Sequence, residues 1–276
     1  MEELITFDKV CLTYHTKESE TPVLADMSFS VGRGELMGLV GPSGCGKTTV
    51  LSLISGIIRP TSGKVLTGGM APEKCDISGY MLQKDELLPW RTNMANILLG
   101  AELKKRDKAA ARQKALELLE KYDLKGVEKH YPDQLSGGMR QRVALIRTLV
   151  LAPQIILLDE PFSALDFQTR LQVVNDVYTM LKTEKMTAVF VTHDINEAIS
   201  MCDRVAVLSS KPCHIKEIVD ISVFKGIPPA ERRISGEFVR LYDKILTSMQ
   251  SRTEQTWNTQ KNTPATSNGS AGKNLQ

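Results

Sequence analysis

An α/β fold is predicted by three patterns: short apolar runs that recur without polar alternation, helical periodicity between them, and a glycine-rich turn directly after the first run. Unalternated Val/Ile/Leu runs are what a parallel sheet covered on both faces requires. ELMGLV at 35–40, IILL at 155–158, TAVFV at 187–191 and RVAVL at 204–208 are the candidate strands. The turn, GPSGCGKTT at 41–49, opens into TTVLSLIS, a segment able to begin a helix.

Upstream, LITFDKVCLTY and VLADMSFSV flank the polar segment HTKESETP, which predicts antiparallel strands up to about residue 31. Residues 93–150 predict a helical subdomain, with Ala115, Leu118, Leu119 and Tyr122 at helical spacing and KKRDK at 104–108 as a solvated charged face. The helix after Asp166 places Phe167, Leu171, Val174, Tyr178 and Leu181 on one face, expected to be core. NEAISMC predicts a further helix after TAVFV. Residues 2–250 read as a single domain, and the polar Ser/Thr/Asn/Gly-rich stretch 251–276 as a disordered tail without a catalytic part.

Composition narrows the function classes. At 276 residues and 42% hydrophobic the chain can bury a sizeable core, and a net charge of +3 gives no argument for nucleic acid. No apolar run approaches the roughly 20 residues that span a bilayer, and MEELITFDKV lacks the basic and apolar segments of a secretory signal, so a cytoplasmic protein is expected. Five cysteines without a C-x-x-C pair suit reduced thiols, and zinc is not expected.

The glycine turn has the form G-x-x-x-x-G-K-[ST], a phosphate cradle. Gly41, Gly44 and Gly46 lack a Cβ, so the backbone of Gly41, Pro42, Ser43, Gly44, Cys45, Gly46, Lys47, Thr48 and Thr49 can turn its N–H groups onto phosphate oxygens at a helix N-terminus. Lys47 supplies charge to the β- and γ-phosphates of a nucleoside triphosphate and the Thr48 hydroxyl is a Mg²⁺ ligand. IILL ends on Asp159, placed to hold Mg²⁺, and Glu160 beside it is a natural base for attacking water. His193 ends another apolar run. A lone histidine there is usually structural, but equivalent ends of neighbouring strands would bring it to the same phosphate. Ser136, Gly137 and Gly138 precede the periodic segment MRQRVALIRTLVL and so offer a second anion site at a helix N-terminus. A plain serine cap also fits that pattern but leaves the two glycines unexplained. Cys45, inside the cradle, is expected to be partly reachable when nucleotide is absent.

Together these residues resemble the nucleotide-binding subunits of ABC transporters. Seven elements stand in the family's order over about residues 2–210: Tyr14 in LTYHT, GPSGCGKTT, Gln83 in YMLQKD, LSGGMRQR, IILLDE, SALD at 163–166 and His193 in THD. Met139 departs from the commonest family form, which has Gln. The resemblance implies a P-loop NTPase of ABC type with a parallel-sheet core, an antiparallel β subdomain and a helical subdomain. It implies ATP and Mg²⁺, with Tyr14 stacked on adenine, Gln83 sensing Mg²⁺ and γ-phosphate, Glu160 as base and His193 on the γ-phosphate.

It also implies a head-to-tail dimer of ATPase subunits, in which Ser136, Gly137 and Gly138 close over the partner's nucleotide and Asp166 lies along the interface. Gln83 and the segment KDELLPWRTNM after it, with Leu87, Leu88, Pro89 and Trp90, are where the resemblance implies coupling to a cytoplasmic helix of an integral membrane permease, although core packing of Trp90 competes with that reading. LLPWRTNMANILLG and HDINEAISMCDRV resemble the ATPases of importers for nitrate, sulfonates, taurine and thiamine-precursor pyrimidines. In such importers an extracytoplasmic binding protein and the permease choose the substrate, and the ATPase is peripheral on the cytoplasmic face. The roughly 80 residues after His193 are too few for the large regulatory domain of some sugar importers. Competing readings are an exporter or lipid-extraction ATPase and a soluble ABC ATPase. The soluble types would require a long coiled-coil insertion between Lys47 and Ser136, or a second cassette, and a switch GTPase would require N-K-x-D; none of these occurs in the chain.

Overall fold

Successive side chains of a strand point to opposite faces, so a strand apolar at every position must be covered twice. The computed structural model, which describes residues 2–15 and 19–251, shows both covers. Strands β3 (Leu36–Val40), β5 (Ser78–Met81), β6 (Ile155–Asp159), β7 (Thr187–Thr192), β8 (Arg204–Leu208) and β9 (Ile215–Asp220) form a six-stranded sheet of order β5-β6-β7-β3-β8-β9. The pairs β5·β6, β6·β7, β7·β3 and β3·β8 are parallel, and β9 (Ile215–Asp220) closes the edge antiparallel to β8.

Alternation then divides the core. Ile156 and Leu158, Ala188 and Phe190, and Val205 and Val207 face one apolar cluster, whereas Ile155 and Leu157, Val189 and Val191, and Ala206 and Leu208 face the other. The first cluster is completed by α4 (Lys108–Lys121), α5 (Gly137–Leu149), α6 (Phe167–Thr183), α7 (Ile195–Met201) and α9 (Gly236–Gln250). The second is completed by α1 (Lys47–Ile54) and a three-stranded antiparallel sheet of order β2-β1-β4, formed by β1 (Glu3–His15), β2 (Glu20–Gly32) and β4 (Ser62–Thr67). Arg232, 1% exposed in the short α8 (Pro229–Arg232), donates to the carbonyls of Ile227, Ile199 and Cys202 and to the Tyr178 hydroxyl, tying the C-terminal segment to α6 and α7.

The antiparallel opening and the four apolar strands stand where the sequence puts them. Between residues 93 and 150 lie α2 (Asn93–Ile97), α3 (Leu99–Leu103), α4 and α5, with turns and a 3-10 segment over 122–136 and no strand. The expected core face of α6 holds for Val174, Tyr178 and Leu181 but not at its N-terminal end. Phe167 is 70% exposed and Leu171 half-buried, while the buried face of α6 is Val173, Val174, Val177, Tyr178, Met180 and Leu181. Part of the hairpin loop, residues 16–18, and the expected tail from 252 onward lie outside the described residues.

Candidate functional site

The glycine turn joins β3 to α1 at the carboxyl edge of the parallel sheet, where open α/β sheets bind ligands. Gly44 at φ +72° and Gly46 at φ +124° hold backbone conformations that L side chains rarely adopt, which is why glycine recurs in this turn. Lys47 is buried and curls back over the turn, its Nζ donating to the carbonyl oxygens of Gly41 at 2.9 Å and Pro42 at 3.0 Å. The same Nζ lies 3.8 Å from Glu160 Oε1.

Parallel pairing brings the acidic strand end to this turn. Thr48 Oγ1 donates to Asp159 Oδ1 at 3.2 Å, and the Tyr80 hydroxyl, from β5 (Ser78–Met81), donates to Asp159 Oδ2 at 3.2 Å. Burial pushes the Asp159 carboxyl above its ordinary value, and the two hydrogen bonds oppose that push. Burial, with Asp159 beside it, likewise raises the Tyr80 phenol. Glu160, at φ +44°, occupies the left-handed region that favours glycine, held there by its N–H bond to the Val191 carbonyl at 2.9 Å. Because β6 and β7 are neighbours, with Asp159 opposite Val191, His193 emerges beside Glu160 and its Nδ1 lies 3.1 Å from Glu160 Oε2. Gln83 Nε2 donates to Ser163 Oγ at 3.3 Å, and Ser163 Oγ donates to the Glu160 carbonyl at 3.0 Å.

A cleft of about 490 Å³ is lined by Tyr14, Ser43, Gly44, Lys47, Thr48, Thr49, Gln83, Asp159 and Glu160 among others. Tyr14, 46% exposed at the end of β1, offers an uncovered ring at its mouth. Hydroxyl and carboxylate oxygens side by side suit Mg²⁺, which keeps most of its shell for water and substrate phosphates. Among the described residues no group of three or more His, Cys, Asp or Glu could hold a metal unaided.

Other expected residues stand apart from the cleft. Ser136 caps α5 by accepting from Met139 N–H at 3.3 Å, and Asp166 caps α6 by accepting from Thr169 N–H at 3.0 Å; both are exposed. The glycines after Ser136 have a packing reason that sequence alone did not supply: a Cβ on Gly138 would lie 2.9 Å from Val173 Cγ2, and one on Gly137 3.1 Å from Leu165 Cδ2. Leu88 is half-buried, its backbone bonded in both directions to the Asn96 side chain, while Trp90 is 73% exposed and therefore not core.

Cys45 contradicts expectation. It is 2% exposed and points into the second apolar cluster, away from the cleft. A hydrogen bond from the Cys213 thiol and the nearby Lys47 charge bring the Cys45 thiol down to about 7, while that bond and burial push Cys213 up. Tyr80 was missed by sequence reasoning. The available signal was its place three residues before the glutamine of YMLQKD, in a strand that must neighbour IILLD to reach Asp159.

A phosphate cradle, a metal-suited hydroxyl–carboxylate pair and a glutamate–histidine pair on one sheet edge define a P-loop nucleoside triphosphatase. Residues 24–163 match the family described as ABC transporter. The chain is 43% identical over 250 residues to the uncharacterized ABC transporter ATP-binding protein YtlC of Bacillus subtilis (strain 168), covering 90% of this chain and 96% of that relative. It is 39% identical over 228 residues to the aliphatic sulfonates import ATP-binding protein SsuB of Bacillus licheniformis, covering 82% of this chain and 87% of the relative. Among solved structures it resembles the dimeric post-hydrolysis state of the ATP-binding cassette MJ0796 bound to ADP and Pi, with 30% identity and a TM-score of 0.67 over 79% of this chain and 98% of that one. The chain belongs to the ABC transporter family as an ATP-binding subunit, an ATP hydrolase coupled to transmembrane transport.

Proposed function

We propose that this subunit energises an importer for a small molecule of the nitrate, sulfonate, taurine or thiamine-precursor group, through ATP-driven closure of a head-to-tail dimer. The observation that carries the reading is the shared hold on Glu160: Lys47 Nζ at 3.8 Å from one carboxylate oxygen and His193 Nδ1 at 3.1 Å from the other. Both partners are groups suited to a γ-phosphate. When ATP enters, its phosphates compete for Lys47 and His193, and the Glu160 carboxylate released from them is left to orient and deprotonate water. Thr48 and Asp159, with Gln83 nearby, would hold Mg²⁺, which neutralises charge on the β- and γ-phosphates when bound. Tyr14 provides the stacking surface for adenine, and Gly41, Gly44 and Gly46 the N–H cradle.

The importer class is supported by the kinship to SsuB. Ser136, Gly137 and Gly138 would serve the partner's nucleotide, with Asp166 at the interface, and hydrolysis would reopen the dimer by removing γ-phosphate contacts. Leu88 and the exposed Trp90, near Gln83, form the surface for a permease helix. The subunit would then sit peripherally at the cytoplasmic face, in keeping with the absence, among the described residues, of any helix long and apolar enough to cross a membrane.

The test joins chemistry to partner. Glu160→Gln is expected to bind ATP and lose about 10²–10⁴ in turnover. Trp90→Ala is expected to hydrolyse ATP normally yet fail to co-purify with a permease from solubilised membranes. Near-wild-type turnover in the first variant would remove Glu160 from its role, and a wild-type chain that never captures a membrane protein would end the transport reading of this surface.

A further inference from the structure

We infer that Arg170 is a positioning residue: its guanidinium couples the loop that carries Asp166 to the loop that carries His193, so that the hydrolytic pair is set by the state of the interface loop. The inference rests on the reading of Glu160 and His193 as that pair.

Arg170 lies in the first turn of α6, and its Nη2 reaches back to donate to the Leu165 carbonyl at 2.8 Å, one residue before Asp166. The rest of the same planar group faces the start of α7. Nη1 lies 4.0 Å from Asp194 Oδ2 and Nε 3.9 Å from Glu197 Oε1. The receiving side is tightly built. Glu197 is 3% exposed, and its Oε2 accepts from Thr192 Oγ1 at 2.7 Å, while that oxygen accepts from Asp194 N–H at 3.0 Å. A chain of hydrogen bonds therefore fixes the backbone on both sides of His193, and Arg170 faces the carboxylate that anchors it. The two loops meet again at the site itself, where His193 contacts Glu160 and Ser163 bonds the Glu160 carbonyl.

The link is only half made. Charge-assisted N–H···O bonds fall near 2.7–2.9 Å, so both carboxylate contacts are about 1 Å too long. Arg170 Nε is buried without a hydrogen-bond partner, and burial pushes the Glu197 carboxyl above its ordinary value. A buried donor and a buried carboxylate in this relation are each unfavourable, and one small movement satisfies both. Because the Leu165 carbonyl holds the other end of the guanidinium, displacement of the 163–166 loop is the movement that reaches it. A static staple between α6 and α7 would instead have closed these contacts already.

The test uses the full-length chain with Arg170→Met, Arg170→Lys, Glu197→Gln and the double variant Arg170→Met/Glu197→Gln, reading steady-state turnover, ATP affinity by calorimetry and the thermal midpoint. Arg170→Met is expected to lower turnover about 10–100-fold, the scale of a small misplacement at a reacting centre. ATP affinity should stay within about two-fold, because the cradle is untouched. Arg170→Lys should recover part of the loss, and the double variant should be no slower than the worse single one, as coupled residues give losses that do not multiply. Normal turnover in Arg170→Met, losses that multiply, or affinity falling in step with turnover would overturn the proposal. If Arg170→Met fails to fold, Arg170→Lys and Glu197→Gln carry the same comparison, and normal turnover in both overturns it. Glu160→Gln is the control: residual wild-type turnover there defeats the site reading, whereas an inactive control beside a normal Arg170→Met defeats the coupling alone.

Discussion

Asp159 illustrates a conflict between stability and function in one side chain. Burial raises its carboxyl above the ordinary value even though Thr48 and Tyr80 donate to it. A group that titrates higher in the folded than in the unfolded chain favours the protonated form of the fold. The nucleotide-free protein therefore holds that contribution below the unfolded value and loses it as pH rises through the raised folded one. Asp159→Asn removes the charge and keeps polar atoms at both contacts. It should raise the nucleotide-free thermal midpoint near neutral pH, each kcal/mol gained being worth roughly 2–4 °C in a domain of this size. It should also lose most of the extra stabilisation by Mg-ATP that the wild type shows. Scanning calorimetry with and without Mg-ATP checks both, and a lowered midpoint, or equal stabilisation by nucleotide, contradicts the account. The position of Asp159 was legible because an unalternated apolar run ends on it, at the carboxyl edge where open α/β sheets bind ligands. Tyr80 was not, because a tyrosine among apolar residues reads as core until the register with β6 is known. Cys45 was misread because a motif gives a residue's place along the turn but not which way its side chain points, and here the apolar cluster under α1 takes the thiol.

Between elements, phase decides what is legible. The runs that became β3, β6, β7 and β8 announce themselves because each is buried on both faces; β4 and β9 are largely half-buried or exposed along their length and carry no such signal. Helix α6 was foreseen with Val174, Tyr178 and Leu181 on its core face, and its buried stripe also takes in Val173 and Val177. The addition of Val173 matters for α5, because Val173 is the residue that crowds Gly138. Gly138→Ala should therefore push α5 from α6. Overpacking of this kind costs about 1–3 kcal/mol, against roughly 1 kcal/mol that alanine gains over glycine within a helix. A net loss of about 1 kcal/mol is expected in denaturant titration, with nucleotide binding by the variant's own cradle retained. Val173→Ala in the same chain should return part of the loss, since the two side chains contend for one space. If Gly138→Ala is as stable as the wild type, the close approach is not what calls for glycine there, and an anion-binding role for the backbone N–H groups gains weight.

At the scale of the whole molecule, the phosphate cradle and the capped start of α5 are two anion-suited surfaces on one chain, and Ser136 is absent from the lining of the cleft that Lys47 occupies. A head-to-tail pair of chains uses both surfaces twice, and twofold symmetry makes the two composite sites identical. This arrangement allows a test that no single-chain mechanism passes. Lys47→Ala should weaken ATP binding, and Ser136→Arg should block closure by placing bulk and charge at the cap; each homodimer then carries the same defect in both of its sites. A mixed dimer of the two variants gathers both defects into one site and leaves the other intact, formed by the unaltered cradle of the Ser136→Arg chain and the unaltered cap of the Lys47→Ala chain. Independent sites would restore about half of wild-type turnover in that dimer. The measurement is ATP hydrolysis by a mixed dimer isolated with two different affinity tags, beside each tagged homodimer. Activity that returns only on mixing supports closure across the interface. A verified mixed dimer as inactive as its parents would mean either that the Ser136 cap acts within its own chain or that one intact site cannot turn over alone, and the second alternative is separated by mixing each variant with wild type.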